Sequence, residues 1–130
     1  MNKDKTIVVI DDHDYVNESI EIAISHLFSI RSFTSVQSAY KYLVNTPSVH
    51  GFIVDYHIGP NSGLEFIRDS VRPLYPKIPA ILISAFYDRD IPNVDQAEIN
   101  QQFVANLTKP FDVQKLQQVA ENVFSEQPVH

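Results

Sequence analysis

Four short apolar runs in this chain each end in groups that could do chemistry. Ile7-Val8-Val9-Ile10 runs into Asp11 and Asp12, and Phe52-Ile53-Val54 into Asp55. Ala80-Ile81-Leu82-Ile83 runs into Ser84, and a weaker run, Val104 to Leu107, into Thr108, Lys109 and Pro110. Held close together, the three carboxylates would repel strongly unless a cation joined them, which calls for a hard divalent ion. An all-oxygen donor set favours Mg²⁺ or Mn²⁺ over zinc. With that ion and Lys109 counted, the pocket is close to neutral and can receive a phosphoryl group. One carboxylate would act as nucleophile and give an aspartyl-phosphate, while metal and ammonium shield the transferring charge. Singly, each residue has a plainer reading, because Asp and Ser after strands often make turns or cap helices. A coherent set at four run ends is what favours chemistry.

The elements that must position these groups show in the hydropathy pattern. Unbroken runs rich in β-branched residues suit strands buried on both faces of a parallel sheet, and Ile30 to Phe33 is a further, weaker candidate. Helical stripes alternate with the runs: Val16, Ile20, Ala23, Ile24 and Leu27; Val36, Ala39, Tyr40, Leu43 and Val44; Leu64, Ile67 and Val71; and Val113, Leu116, Val119, Ala120 and Val123. Thr34 with Gln37, and Ser62 with Glu65, have capping-box spacing, and Asp112 can cap the last helix. Between Phe86 and Gln102 the pattern is poorest, with room for a short helix near Val94 to Phe103. Alternating strands and helices predict an α/β fold, a parallel sheet covered on both faces by right-handed connections. Ligands of such sheets bind beyond the carboxyl ends of the strands, where the candidate groups fall.

Composition narrows the function classes. At 130 residues the chain fits one domain, and 44% hydrophobic with 20% charged residues excludes wholesale disorder. A net charge of −6 is the wrong sign for holding nucleic acid through its phosphates. The absence of cysteine excludes a disulfide framework, a thiolate nucleophile and Cys-ligated zinc. Apolar runs of four or five residues fall far short of a membrane span, and the start of the chain lacks a signal-peptide pattern. The expectation is a cytoplasmic domain with no membrane and no nucleic acid bound by the domain itself.

Val9-Ile10-Asp11-Asp12, Ile53-Val54-Asp55, Leu82-Ile83-Ser84-Ala85 and Lys109-Pro110-Phe111 together resemble the signature of receiver domains of bacterial two-component response regulators. Gly63-Leu64 matches the family's usual glycine before the third helix. The resemblance implies a flavodoxin-like doubly wound (βα)5 sandwich with a five-stranded parallel sheet over residues 1–124, with 125–130 a tail or the start of a linker to an output domain. It implies that Asp55 is the phosphoacceptor, taking a phosphoryl group from a histidine kinase or phosphotransfer protein. Asp11 and Asp12 would then hold Mg²⁺ (or Mn²⁺) with Asp55 and the backbone carbonyl of His57, an imidazole ligand being the lesser reading. Ser84 would be the switch hydroxyl, Lys109 the phosphoryl contact, and the Lys109-Pro110 bond cis. The domain would catalyse its own phosphorylation and dephosphorylation, signal through its surface, and dimerise, if at all, through the last helix-strand-helix face.

The chain departs from the family where the signal leaves the site. Asn106 stands at the position of the usual switch aromatic, and the nearest aromatic is Phe103. An unpaired buried amide is costly, so Asn106 should stay at the surface or bond to the polar segment before it. Activation should therefore travel through that segment and the fourth helix. Phe86 and Tyr87 either border the pocket mouth or merely cover the core. Glu18 and Glu21 read as a solvated face, on the side where the family docks its kinase. His13, His26, His50 and His130 lack ligand spacing and read as surface. Two other functions remain. A haloacid-dehalogenase-type phosphatase would need an acidic residue where His57 stands, and a pseudo-receiver would act as a phosphorylation-independent interaction module.

Overall fold

The computed structural model describes residues 2–46, 48–85 and 91–125. Five strands carry the architecture: β1 Thr6–Ile10, β2 Ser29–Phe33, β3 Gly51–Asp55, β6 Ala80–Ala85 and β7 Ala105–Lys109. All pair in parallel, in the order β2-β1-β3-β6-β7, the doubly wound arrangement expected from the sequence. Two further strands of two residues each, β4 His57–Ile58 and β5 Asn61–Ser62, form a small antiparallel hairpin just past β3. The helices are α1 Asp14–Ile24, α2 Val36–Val44, α3 Gly63–Glu65 running into a π-helical segment Phe66–Val71, α4 Asn93–Gln102 and α5 Val113–Phe124. Among the described residues, no helix is long and apolar enough to cross a membrane.

Strand alternation splits the core in two. Ile7, Val9, Ile53, Ile81 and Ile83 pack beneath Ile20, Ile24, Leu116, Ala120 and Phe124 of α1 and α5. Val8, Ile10, Phe52, Val54 and Leu82 pack on the other face, under Ala39, Leu43, Leu64, Ile67 and Ile99. The apolar runs are unbroken because both faces of the central strands are buried.

Two of the three capping expectations hold: Ser62 accepts a hydrogen bond from the Glu65 amide, and Asp112 from the Gln114 amide. The third is corrected. Ser35, not Thr34, caps α2, accepting from the Ser38 amide, because the chain turns into the helix one residue later than the Thr34/Gln37 spacing suggests. The fourth helix is regular over ten residues despite its poor pattern. Polar contacts, not an apolar stripe, hold it. Asp95 accepts from the Tyr56 hydroxyl, Glu98 from Arg68 at 2.6 Å, and Gln102 from Arg72 Nε at 3.0 Å. These partners lie on one side of the helix.

Candidate functional site

The register brings the candidate groups to one edge. Ile10 lies beside Val54, Asp55 beside Ile83, Ser84 beside Thr108 and Ala85 beside Lys109, so each follows its strand out at the carboxyl end. Asp11 is fully buried and Asp55 only 4% exposed. Lys109 Nζ lies between them, 3.1 Å from Asp55 Oδ2 and 2.8 Å from Asp11 Oδ2. The Asp11 contact is off the line of a good hydrogen bond, so it is ionic in character. The bond from Lys109 to Pro110 is cis, as the sequence resemblance implied.

Asp55 shares its ammonium with the charge of Asp11. Burial, and after it the charge of Asp11, raise the Asp55 carboxyl from its ordinary 3.8 to about 6, although Lys109 and the Tyr56 amide favour its ionised form. Burial works against the Lys109 charge, yet its contacts with Asp11 and Asp55 leave its pKa above the ordinary value.

Asp12 faces outward at the rim, where its Oδ2 accepts from the Gly59 amide at 3.1 Å. Gly59 sits in the turn of the β4–β5 hairpin at φ 59°, a left-handed conformation that favours glycine. The hairpin thus ties the loop after the candidate nucleophile to the acidic pair. His57 is exposed, and its ring meets Tyr56 edge-on at 4.7 Å. Ser84 is half-buried at the end of β6, a strand away from Asp55, and among the described residues it makes no hydrogen bond to a carboxylate. Phe86 and Tyr87 lie outside the described residues. Asn106 is exposed, one of the two outcomes expected for it, while Phe103 is buried beside Tyr56 and Ile99.

The structure also brings in residues that the sequence pattern hid. Asn17, 5% exposed, donates from Nδ2 to the Asp11 carbonyl at 3.0 Å and the Phe33 carbonyl at 3.1 Å, locking α1 to the ends of β1 and β2. Because both neighbours are acceptors, the amide orientation is fixed by chemistry. It adjoins an apolar helical stripe, and nothing in the spacing marks it. His13 is exposed, as expected, and its ring also bonds the acidic pair, with Nδ1 3.2 Å from Asp11 Oδ1 and 3.3 Å from Asp12 Oδ1. The donor set of Asp11, Asp12 and Asp55 suits a hard divalent cation, because Asp11 and Asp55 share one ammonium and Asp12 stands at the rim beside them, leaving three carboxylates against one cation.

A response regulator receiver domain profile matches residues 7–121. The chain belongs to that family. Receiver domains generally bind Mg²⁺, and an acidic cluster of Asp11 and Asp12 with His13 is present here. Among solved structures, an uncharacterized protein from Neptuniibacter caesariensis aligns at 26% identity and TM-score 0.84, over 96% of this chain and 90% of that one. A CheY-like response regulator receiver domain protein from Methanospirillum hungatei shares the fold at 20% identity and TM-score 0.79, over 93% and 94% of the two chains. NtrX from Brucella abortus, at 20% identity and TM-score 0.81, matches 96% of this receiver, which spans 27% of that chain. No curated protein matches the sequence.

Proposed function

We propose that this receiver domain is a phosphorylation switch with Asp55 as phosphoacceptor, supplied by a histidine kinase or phosphotransfer protein in the cytoplasm. One observation carries the reading: a buried carboxylate lies 3.1 Å from an ammonium that is itself anchored 2.8 Å from a second buried carboxylate. The geometry holds Lys109 beside the oxygen that would attack. In the step, an Asp55 oxygen forms its bond to phosphorus while the bond from phosphorus to the donor's imidazole nitrogen breaks. The donor histidine, carrying a proton on its other ring nitrogen, takes the electron pair of the broken bond and leaves as neutral imidazole. Mg²⁺ or Mn²⁺, held by Asp11, Asp12 and Asp55 with the His57 carbonyl, would supply the positive charge that offsets the phosphoryl oxygens. Lys109 would turn its ammonium to the same oxygens, and Ser84 its hydroxyl. Residues 1–124 form the switch in this reading, and 125–130 a tail or linker start.

The donor's approach is from the side of α1. A cleft of roughly 600 Å³ lined by His13, Tyr15, Val16, Lys109, Pro110 and Phe111 adjoins the site there. Tyr15, 67% exposed, offers a ring to an incoming helix.

The test is phosphorylation by acetyl phosphate with Mg²⁺, read by intact-mass spectrometry. The protein should gain one phosphoryl group, and Asp55→Asn should gain none. A gain that persists in the variant overturns the assignment of the nucleophile.

The signal would leave through α4. Tyr56 directly follows Asp55, donates its amide to the Ile83 carbonyl at 2.8 Å, and bonds Asp95 of α4 through its hydroxyl. Coupling through this residue needs no ring to swing into a slot, which fits an exposed Asn106. With beryllofluoride and Mg²⁺, hydrogen exchange should change most over residues 91–107. Tyr56→Phe should blunt that change while Asp55 is still phosphorylated, since removing a hydroxyl bonded to a carboxylate costs about 1–2 kcal/mol. Exchange changes confined to Asp11, Asp12 and Asp55 would favour a pseudo-receiver in which phosphate is not read.

A further inference from the structure

We infer that Asn17 is a positioning residue of the switch: its side-chain amide fixes the peptide that joins Asp11 to Asp12 and so aims both carboxylates. The inference rests on the phosphorylation reading and deepens it. It starts from a gap at the edge of the sheet. The Asp11 amide donates to the Phe33 carbonyl at 3.1 Å, which carries the pairing of β1 with β2 one residue past Ile10. There β2 ends, and Ser35 already caps α2. The Asp11 carbonyl is thus left without a strand amide to accept from. Asn17, in the first turn of α1, supplies the missing donor from Nδ2 at 3.0 Å, and the same nitrogen donates to the Phe33 carbonyl at 3.1 Å. The bonded carbonyl shares one planar unit with the Asp12 amide, so holding it sets the direction in which the chain leaves Asp11. With that plane fixed, Asp11 Oδ2 stays 2.8 Å from Lys109, Asp11 Oδ1 accepts from the His13 amide, and Asp12 reaches the Gly59 amide at the rim.

Fold stability alone is a poor account of an asparagine at this place. The residue is 5% exposed, and its Oδ1 is buried with no partner among the described residues. A buried acceptor without a donor destabilises the folded state. Of the two carbonyls that Nδ2 reaches, Phe33 already accepts from the Asp11 amide, so Asn17 satisfies one bare oxygen and brings in another. Its helical neighbours Val16, Ile20 and Ile24 are buried and apolar, a setting in which leucine, branched at the same carbon, is at home. Leucine would leave the Asp11 carbonyl bare but add no bare oxygen of its own. The two side chains are therefore close to balanced in stability. They differ in whether the peptide between the acids is held, and small misplacements of reacting groups cost rate steeply.

The experiment is a Mg²⁺ titration of the full chain followed through its amide NMR signals, with thermal melts and hydrogen exchange of the metal-free protein alongside. Asn17→Leu should melt within about 4 °C of the parent. It should raise the half-saturating Mg²⁺ concentration roughly tenfold or more, the loss typical of removing a group that orients a metal ligand. In the metal-free variant the Asp12 and His13 amides should exchange faster with solvent than in the parent. Ile24→Val, fully buried in the same helix, is the control for stability: it should lower the melting temperature and leave half-saturation unchanged. If Asn17→Leu does not fold, Asn17→Ala, too small to clash, takes its place with the same readouts. Unchanged half-saturation in the folded variant, or Asp12 and His13 amides that exchange as in the parent, overturns the inference. So does an equal loss of Mg²⁺ affinity in Ile24→Val, which would make stability the cause. Asp55→Asn separates this from the phosphorylation reading. A phosphoryl gain from acetyl phosphate in that variant sinks the reading itself. No gain there, together with an Asn17→Leu protein that takes up Mg²⁺ as the parent does, leaves the switch standing and removes only Asn17 from it.

Discussion

Gly63→Ala should destabilise the fold by about 3 kcal/mol or more, a drop of roughly 10 °C or more in melting temperature. A Cβ at this position would stand 1.9 Å from the Asp55 carbonyl oxygen and 2.8 Å from Val54 Cγ1. Neither neighbour is the free end of a flexible side chain. The first is backbone, and Gly63 itself donates from its amide to the Tyr56 carbonyl at 2.8 Å, so α3 cannot back away without breaking that bond. The gain of about 1 kcal/mol in helix propensity on replacing glycine is too small to offset a backbone collision. Gly59→Ala is the control. At φ 59° with nothing within 4 Å of its Cβ, it should cost only the left-handed strain, about 1–2 kcal/mol. Thermal melts of the two variants side by side decide the matter, and a Gly63→Ala melting point within about 2 °C of the parent would show that α3 does not press on β3. Because the collision is with Asp55, the proposed phosphoacceptor, whatever Gly63→Ala protein folds should also gain little phosphate from acetyl phosphate.

Asp55→Asn should make the metal-free protein more stable at pH 7, by up to about 3 kcal/mol, and should make little difference near pH 4. The folded carboxyl titrates near 6 and the unfolded one near 3.8, so between those values the folded state holds more protons than the unfolded state. Stability contributed by this group is fully present below 3.8 and is lost as pH rises through about 6. The amide keeps the shape and removes the charge, so the variant should show a flatter stability profile over that window. Urea unfolding at a series of pH values in the presence of a chelator measures it. Profiles that run parallel from pH 4 to pH 7 would show that the Asp55 charge is not held against burial and the Asp11 charge. Adding Mg²⁺ should narrow the gap between parent and variant, because the parent then has a cation to share among its carboxylates.

Much of this architecture was legible because its central strands are buried on both faces. Runs such as Phe52-Ile53-Val54 have few physical alternatives once Asp55 ends them, and the strand ends then had to share an edge. The acids and Lys109 met there for the same reason. What the pattern missed is local or polar. The one-residue shift of the α2 cap to Ser35 turns on backbone angles, for two neighbouring hydroxyl residues offer nearly the same local chemistry. Asn17 and Tyr56 act through hydrogen bonds to distant backbone or side-chain oxygens, which periodicity does not encode. His13 meets Asp11 and Asp12, the two residues before it, only because the backbone turns back at the end of β1, which residue spacing does not signal. The fourth helix, expected as a short one near Val94 to Phe103, lies at Asn93–Gln102, and its attachments are charged and amide groups, which is why its apolar pattern is poor.

That last attachment has a thermal consequence. Among the described side chains of α4 only Ile99 is buried, and the helix is tied down at Asp95, Glu98 and Gln102 by oxygens. Shifting such a helix uncovers little hydrocarbon, so it carries little change in heat capacity. A balance between docked and displaced helix that lacks a heat-capacity term has no steep curvature with temperature. If α4 carries the proposed signal, its threshold should drift only gently as the surroundings warm or cool, even while the stability of the sheet beneath it follows the usual dome.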